Sequence, residues 1–221
     1  NTSNMNIAIV TLAMLAPASV SSAVLYNMDF SIVGQGSTHN SGGDVIEPSP
    51  ISGSNWTLTH NNPSTDGSTN EFITVAGDKM RVKDWGGDGT VTSDPINITS
   101  NGIVNINGVA TTIGTDVFNI GSEGVTWFYQ INSAGIVSTT IDETTLGAGA
   151  VPAGVDVGHS FGNVAVSAGD ALLIGFTVNV NGAGDGVEIS SLSADFTAIP
   201  EPSSCVMLGL GAMAFLLYRR K

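Results

Sequence analysis

Cysteine is almost missing from this chain: there is one, Cys205, near the C-terminus. No disulfide can staple the fold within one molecule, and thiolate metal sites are excluded. Histidine is equally sparse, and His39, His60 and His159 stand too far apart in sequence to read as a zinc set. Basic residues are few, with six Lys and Arg against nineteen Asp and Glu. Three of the six close the chain, so residues 24–199 keep only Lys79, Arg81 and Lys83 against eighteen acids, a net of −15. A surface of that sign repels a phosphate backbone, which excludes a nucleic-acid binder. Strong helix formers are also scarce between the two ends. Val, Thr and Ile alternate there with Gly, Asn, Ser and Asp, the pattern of strands and turns.

What is present is concentrated first at the termini. The chain ends in Pro200-Glu201-Pro202-Ser203-Ser204, then an apolar run from Cys205 to Tyr218, then Arg219, Arg220 and Lys221. Fourteen apolar residues reach about 21 Å as a helix, short of the roughly 30 Å hydrocarbon core. Gly209 and Gly211 weaken that helix, while Leu208, Leu210, Phe215, Leu216 and Leu217 supply its bulk. Pro200 and Pro202 separate it from whatever precedes. The basic triplet fits the positive-inside rule, with the bulk of the chain exported.

This tail resembles the PEP-CTERM sorting signal of bacterial proteins processed by an exosortase-type transpeptidase. The resemblance implies Pro200, Glu201 and Pro202 as the processing motif. It also implies partners in that enzyme and the secretion machinery, and a membrane-associated stage before display at the surface or in an extracellular matrix. An uncleaved C-terminal anchor and a buried core helix are the alternatives. At the other end, Ile7 to Leu15 followed by Ser21-Ser22-Ala23 reads as a secretory signal helix cut after Ala23. No Lys or Arg precedes it, a departure from the usual pattern; the alternative is a first core element.

Between the signals, residues 24–199 suffice for one domain with a real core. Strands are expected near 24–33, 54–60, 71–76, 79–85, 94–99, 102–109, 124–132, 135–141, 162–167, 170–180 and 187–198. Leu172, Ile174, Phe176, Val178 and Val180 share one face, as do Val125, Trp127, Tyr129 and Ile131. Residues 34–53 and 142–160 read as loops. The fold class is all-β: an antiparallel jelly-roll-like sandwich, with helices only in the two end segments. The order of Ser54-Asn55-Trp56-Thr57, Gly77-Asp78, Asp94 to Ile98 and Ser167 to Asp170 is similar to concanavalin-type and carbohydrate-binding-module-like jelly rolls. That similarity implies a carbohydrate-binding role and a structural Ca²⁺ between the first and last strands, where Asp29 and Asp195 each precede a Phe.

Few residues inside the domain carry chemistry by pattern. Gly158-His159-Ser160-Phe161-Gly162 matches the nucleophile elbow of α/β-hydrolases. That motif needs a helix after it and a later histidine, and neither follows. The stretches Asp84 to Gly89 and Gly182 to Gly186 look like pieces of calcium loops but lack the ligand spacing, so they read as tight turns. No pair of carboxylates falls at a readable glycosidase spacing. The domain is therefore expected to be no enzyme.

Lys79, Arg81 and Lys83 form the most specific pattern, alternating with Met80 and Val82 and with Trp85 in phase. A hairpin at Gly77-Asp78 would set Phe72 opposite Lys83 and Thr74 opposite Arg81. Such a face could stack on sugar rings and pair with anionic polysaccharide. Equally, its cations could be spent on neighbouring acids. Two functions stand: a non-catalytic surface or exopolysaccharide-matrix protein, and a lectin-like module with a defined sugar.

Overall fold

A computed structural model describes residues 22–32, 36–40, 43–46, 54–60, 71–119, 123–147, 149, 151–180, 182 and 184–199. In chain order the strands are β1 (Ser22–Asn27), β2 (Gly36–Asn40), β3 (Gly43–Ile46), β4 (Trp56–His60), β5 (Glu71–Val75), β6 (Met80–Lys83), β7 (Trp85–Ser93) and β8 (Ile96–Asn97). They continue as β9 (Gly102–Ile113), β10 (Asp116–Phe118), β11 (Gly124–Ile131), β12 (Val137–Asp142), β13 (Val151–Pro152), β14 (His159–Val166), β15 (Ala171–Val180) and β16 (Gly186–Ala198).

Two antiparallel sheets form a sandwich. The larger has the order β14-β9-β16-β6-β5-β2-β3, with β1 also on β16; the smaller runs β12-β11-β15-β7-β4, with β8 on β15. The all-β, jelly-roll-like expectation holds, and no helix occurs among the described residues. The periodic faces close the core between the layers. Leu172, Ile174, Phe176, Val178 and Val180 are fully buried, and so are Val125 and Trp127. Burial of each such side chain contributes about 1.5–3 kcal/mol. Two glycines leave room for side chains of the facing sheet. A Cβ on Gly108 of β9 would strike the Trp127 indole of β11, and one on Gly89 of β7 would strike Ile73 of β5.

Four regions depart from expectation. Residues 85–93, read as a tight turn at their start, form the full strand β7, paired with both β15 and β4. Gly89 admits Ile73 of the facing sheet where a larger residue would hold it off. The 34–53 stretch contributes the β2–β3 pair at a sheet edge. The 142–160 stretch contributes β13 and a segment laid along β9. There Val157 N–H donates to Ala110 O, Thr112 N–H to Val155 O, and Gly154 N–H to Thr112 O. Finally, β1 begins at Ser22, paired with Thr197, two residues ahead of the boundary drawn after Ala23.

Candidate functional site

The β5–β6 hairpin forms as the sequence requires. Gly77 and Asp78 both take positive φ, 62° and 59°, the backbone of a type I′ turn, whose twist matches the flanking strands. The register sets Phe72 opposite Lys83 and Thr74 opposite Arg81. On the other side of β6, Arg81 lies across from Glu188 of β16. Lys79 Nζ reaches Glu188 Oε2 at 2.9 Å, and an Arg81 guanidinium nitrogen reaches Oε1 at 2.8 Å. One carboxylate thus holds two cations, one on each oxygen. The hydrogen bond from Lys79 comes first in holding the Glu188 carboxyl below its ordinary range, and the nearby Arg81 charge adds to it against the opposing effect of desolvation. Two cations of this face thus share one carboxylate, so its charge is partly met within the sheet.

Trp85 does not join that face. Asp84 takes φ 48° and donates its N–H to Asp185 O. A left-handed residue at that point advances the alternation by one, so the Trp85 indole turns inward and is 1% exposed. Period-two counting fails wherever the strand is interrupted. The aromatic rim around the cations reduces to Phe72.

Asp29 and Asp195 are not brought together. β1 and β16 do pair, as first and last strands, but Asp195 lies opposite Val24, five residues from Asp29. At about 3.3 Å per residue that is roughly 16 Å along the strand direction. Asp29 instead accepts from Ser31 N–H at 2.8 Å, and hydrogen bonding from the Ser31 side chain first, then from this N–H, lowers its pKa. Its neighbourhood is a notch lined by Asn27, Asp29, Ser31, Asp78, Ser190 and Ser191. The notch opens because β6 covers one half of that flank of β16 and β1 the other. Among the described residues, no group of three or more His, Cys, Asp or Glu is placed to hold a metal ion.

A second surface was not legible as a site. The Gly158–Gly162 stretch enters strand β14, not a strand–turn–helix elbow. Around it lies an open cleft of about 390 Å³ lined by Gly108, Val109, Asp156, Gly158, His159 and Ser160. Asp156 Oδ1 accepts from Gly158 N–H, and Ser160 Oγ donates to Asn107 Oδ1 on β9. His159 meets Phe161 edge to face at 4.6 Å, and Phe161 meets Tyr129 at 5.1 Å. Half-buried rings thus stand beside hydroxyl, amide and carboxylate groups at one edge of the sandwich. The bulge at Gly162 and Asn163 that shapes this edge has Asn163 at φ 57°. Nothing in the local pattern announces it.

Pro200, Glu201, Pro202 and the tail residues Cys205, Leu208, Leu210, Phe215, Leu216, Leu217, Arg219, Arg220 and Lys221 lie outside the described residues, as do residues 1–21 of the N-terminal signal segment. Among the described residues no helix is long and apolar enough to cross a membrane. Residues 198–221 match the PEP-CTERM protein-sorting motif.

The chain carries that sorting signal. It is an exported protein, processed by an exosortase-type enzyme and anchored at the cell envelope. No curated protein matches the chain. Among solved structures, it is similar to TmCBM61 in complex with β-1,4-galactotriose, at 11% identity and TM-score 0.34, over 63% of this chain and 81% of that one. The CBM22-1 xylan-binding domain of Paenibacillus barcinonensis Xyn10C aligns at 9% identity and TM-score 0.32, over 83% and 100%. A cleaved adhesin domain of Lys-gingipain from Porphyromonas gingivalis aligns at 14% and 0.32, over 79% and 99%.

Proposed function

We propose that this chain is a non-catalytic protein deployed through its sorting tail at the cell surface, within an extracellular polysaccharide matrix. The observation that carries the reading is the sorting motif itself, which begins at the end of the last strand of the sandwich. Two features of the domain support it. The serine of the hydrolase-like Gly158–Gly162 stretch lies within strand β14 and donates to Asn107 Oδ1, with no strand–turn–helix elbow around it. A net charge of −15 over residues 24–199 keeps a displayed domain soluble and self-repelling.

The test is localisation in the native host. Full-length protein should co-purify with matrix polysaccharide after processing, and deletion of residues 200–221 should release it to the medium or periplasm. Mass spectrometry of the matrix form should find a C-terminus near Pro202. Dominant chains that still end at Lys221, in a host that has the enzyme, refute the processing.

A lectin-like function is the second reading, favoured by one specific observation. The cleft at Asp156–Ser160 sets the half-buried His159 ring, backed by Phe161, beside hydrogen-bonding side chains, the mixture that sugar rings and their hydroxyls require. The ion-paired hairpin offers charge but only Phe72 for stacking. Glycan-array binding that disappears in His159→Ala and survives in Arg81→Gln would assign the sugar to the cleft. Binding lost only in Arg81→Gln or Phe72→Ala would return it to the hairpin. An array with no bound glycan removes this second reading and leaves the first.

A further inference from the structure

Both chain ends of the domain leave the sandwich at the same place. Ser22 pairs with Thr197, and Gly102 pairs with both Ala198 and Val166. Ile199 N–H donates to Asn101 O at 3.0 Å. The turn Ser167–Asp170 joins this end, since Ala168 N–H donates to Asn101 Oδ1 and Ile98 N–H to Asp170 O. The turn after β11 joins it too, because Asn132 N–H donates to Ala171 O. One end of the sandwich thus carries residues 98–101, 132–136, 167–170 and the exit at Ile199.

That end is also where the surface is apolar. Among the described residues, six large hydrophobic side chains are exposed, and Ile136 (61%), Val137 (45%) and Ile199 (51%) all lie here. A fourth, Val24 at 69%, pairs with Asp195 within four residues of the exit. No Lys or Arg of the described residues is near. Lys79, Arg81 and Lys83 belong to the hairpin beside residues 186–189, at the opposite half of β16.

The sequence then fixes how far this end can stand from a bilayer. Ile199 is the only residue between the last strand and Pro200, and Cys205, where the apolar run begins, follows six residues after Ile199. Even fully extended, six residues span roughly 20 Å, and the headgroup layer itself takes about 6 Å of that. No linker holds the domain away.

We propose that this end of the sandwich is a membrane-docking surface, occupied by the lipid headgroup layer while the tail is inserted. Ile136, Val137 and Ile199 rest at the interface, and the Asp156–Ser160 cleft faces outward. The cleft begins six residues up β9 from Gly102, roughly 20 Å from the docked end. Contact is apolar, since no cation is there to read lipid charge. Anionic lipid therefore weakens it, through the net charge of −15 over residues 24–199, and salt relieves that repulsion, the reverse of a polybasic docking patch.

The test uses the full chain carrying Cys205→Ala, with single cysteines introduced by Ile136→Cys, Ala168→Cys or Ala153→Cys for a fluorescent label. The variants are reconstituted in phosphatidylcholine vesicles containing nitroxide-labelled lipid. Ala153 lies at the far end, beside the Gly154–Thr112 hydrogen bond. Quenching at positions 136 and 168 should exceed that at 153 several-fold; equal quenching at all three overturns the proposal. Val137→Asp combined with Ile136→Asp, both in exposed positions, should cut quenching at 168 at least twofold with the circular dichroism unchanged. Quenching at 168 that ignores both substitutions means the tail alone brings this end close, and also overturns it. Flotation reports separately on the tail, and a chain that fails to float with the vesicles refutes tail insertion and the docking with it.

Discussion

The two flanks of the larger sheet near Glu188 and near Thr112 are held by different forces. On the hairpin flank, Lys79 and Arg81 converge on Glu188 across solvent-facing strands, with side chains 41%, 44% and 15% exposed. On the opposite flank of β9, the 151–158 segment is stitched by backbone hydrogen bonds around Thr112, which is 1% exposed. The Thr112 hydroxyl donates to Pro152 O and accepts from Val155 N–H. Beneath lies Trp127, whose indole N–H donates to Val157 O at 2.8 Å and whose ring meets Phe176 at 5.5 Å. Exposed charge in water contributes tenths of a kcal/mol, whereas packing and buried hydrogen bonds contribute whole ones. The segment resembling a loop should therefore matter more to the fold than the charged pattern that stands out in the sequence.

The sharpest way to break that comparison is Trp127→Ala. It removes the ring that fills the space above Gly108 and leaves Val157 O without its buried donor. A loss of about 3–5 kcal/mol is expected, read from urea unfolding monitored at both tryptophan fluorescence and far-UV circular dichroism. A cost under about 1 kcal/mol would place the main core elsewhere. Thr112→Val comes next. The shape is kept but both hydroxyl hydrogen bonds go, leaving Pro152 O and Val155 N–H to find other partners, for about 1–3 kcal/mol. Hydrogen exchange should then rise at Val155 and Gly154 before it rises in β15. Uniform exchange across the domain would show that the segment is not an independently stitched unit.

What could be read from residues alone follows the same division. β15 was legible because five apolar side chains at strict period two leave one solution for its face. The hairpin register was legible because Gly77-Asp78 admits the backbone that a two-residue turn demands. β7 was not, since glycines mark both turns and close sheet contacts, and only the position of Ile73 in the facing sheet tells which. Period-two counting puts Trp85 on the wrong face because nothing in Asp84 announces a left-handed residue. The proposed pairing of Asp29 with Asp195 failed by register: the strands are neighbours, but the residues are five apart. The cleft at Asp156–Ser160 is assembled from β9, β14 and the stitched segment, so it exists only in three dimensions. The sorting tail needed none of this, because its three parts are contiguous in sequence.

The smallest expected effect tests the hairpin flank. Glu188→Gln keeps the side chain's size and removes its charge, so Lys79 and Arg81 lose their shared partner but stay hydrated. A cost of up to about 1 kcal/mol is expected at neutral pH and low salt, because both cations are well exposed. The carboxyl is held below its ordinary 4.5 when folded, first by the Lys79 hydrogen bond. A depressed folded pKa contributes stability that is present above the unfolded value and is lost as pH falls through the folded one. The difference between wild type and Glu188→Gln should therefore be constant from pH 6 upward and shrink below about pH 4.5. It should also fall at high ionic strength, as an exposed pair must. Lys79→Gln and Arg81→Gln should each cost less than Glu188→Gln, since either leaves one contact to the carboxylate intact. A Glu188→Gln loss of several kcal/mol that persisted at pH 3 and in high salt would mean that the side chain acts by packing, and the contrast between the two flanks would collapse.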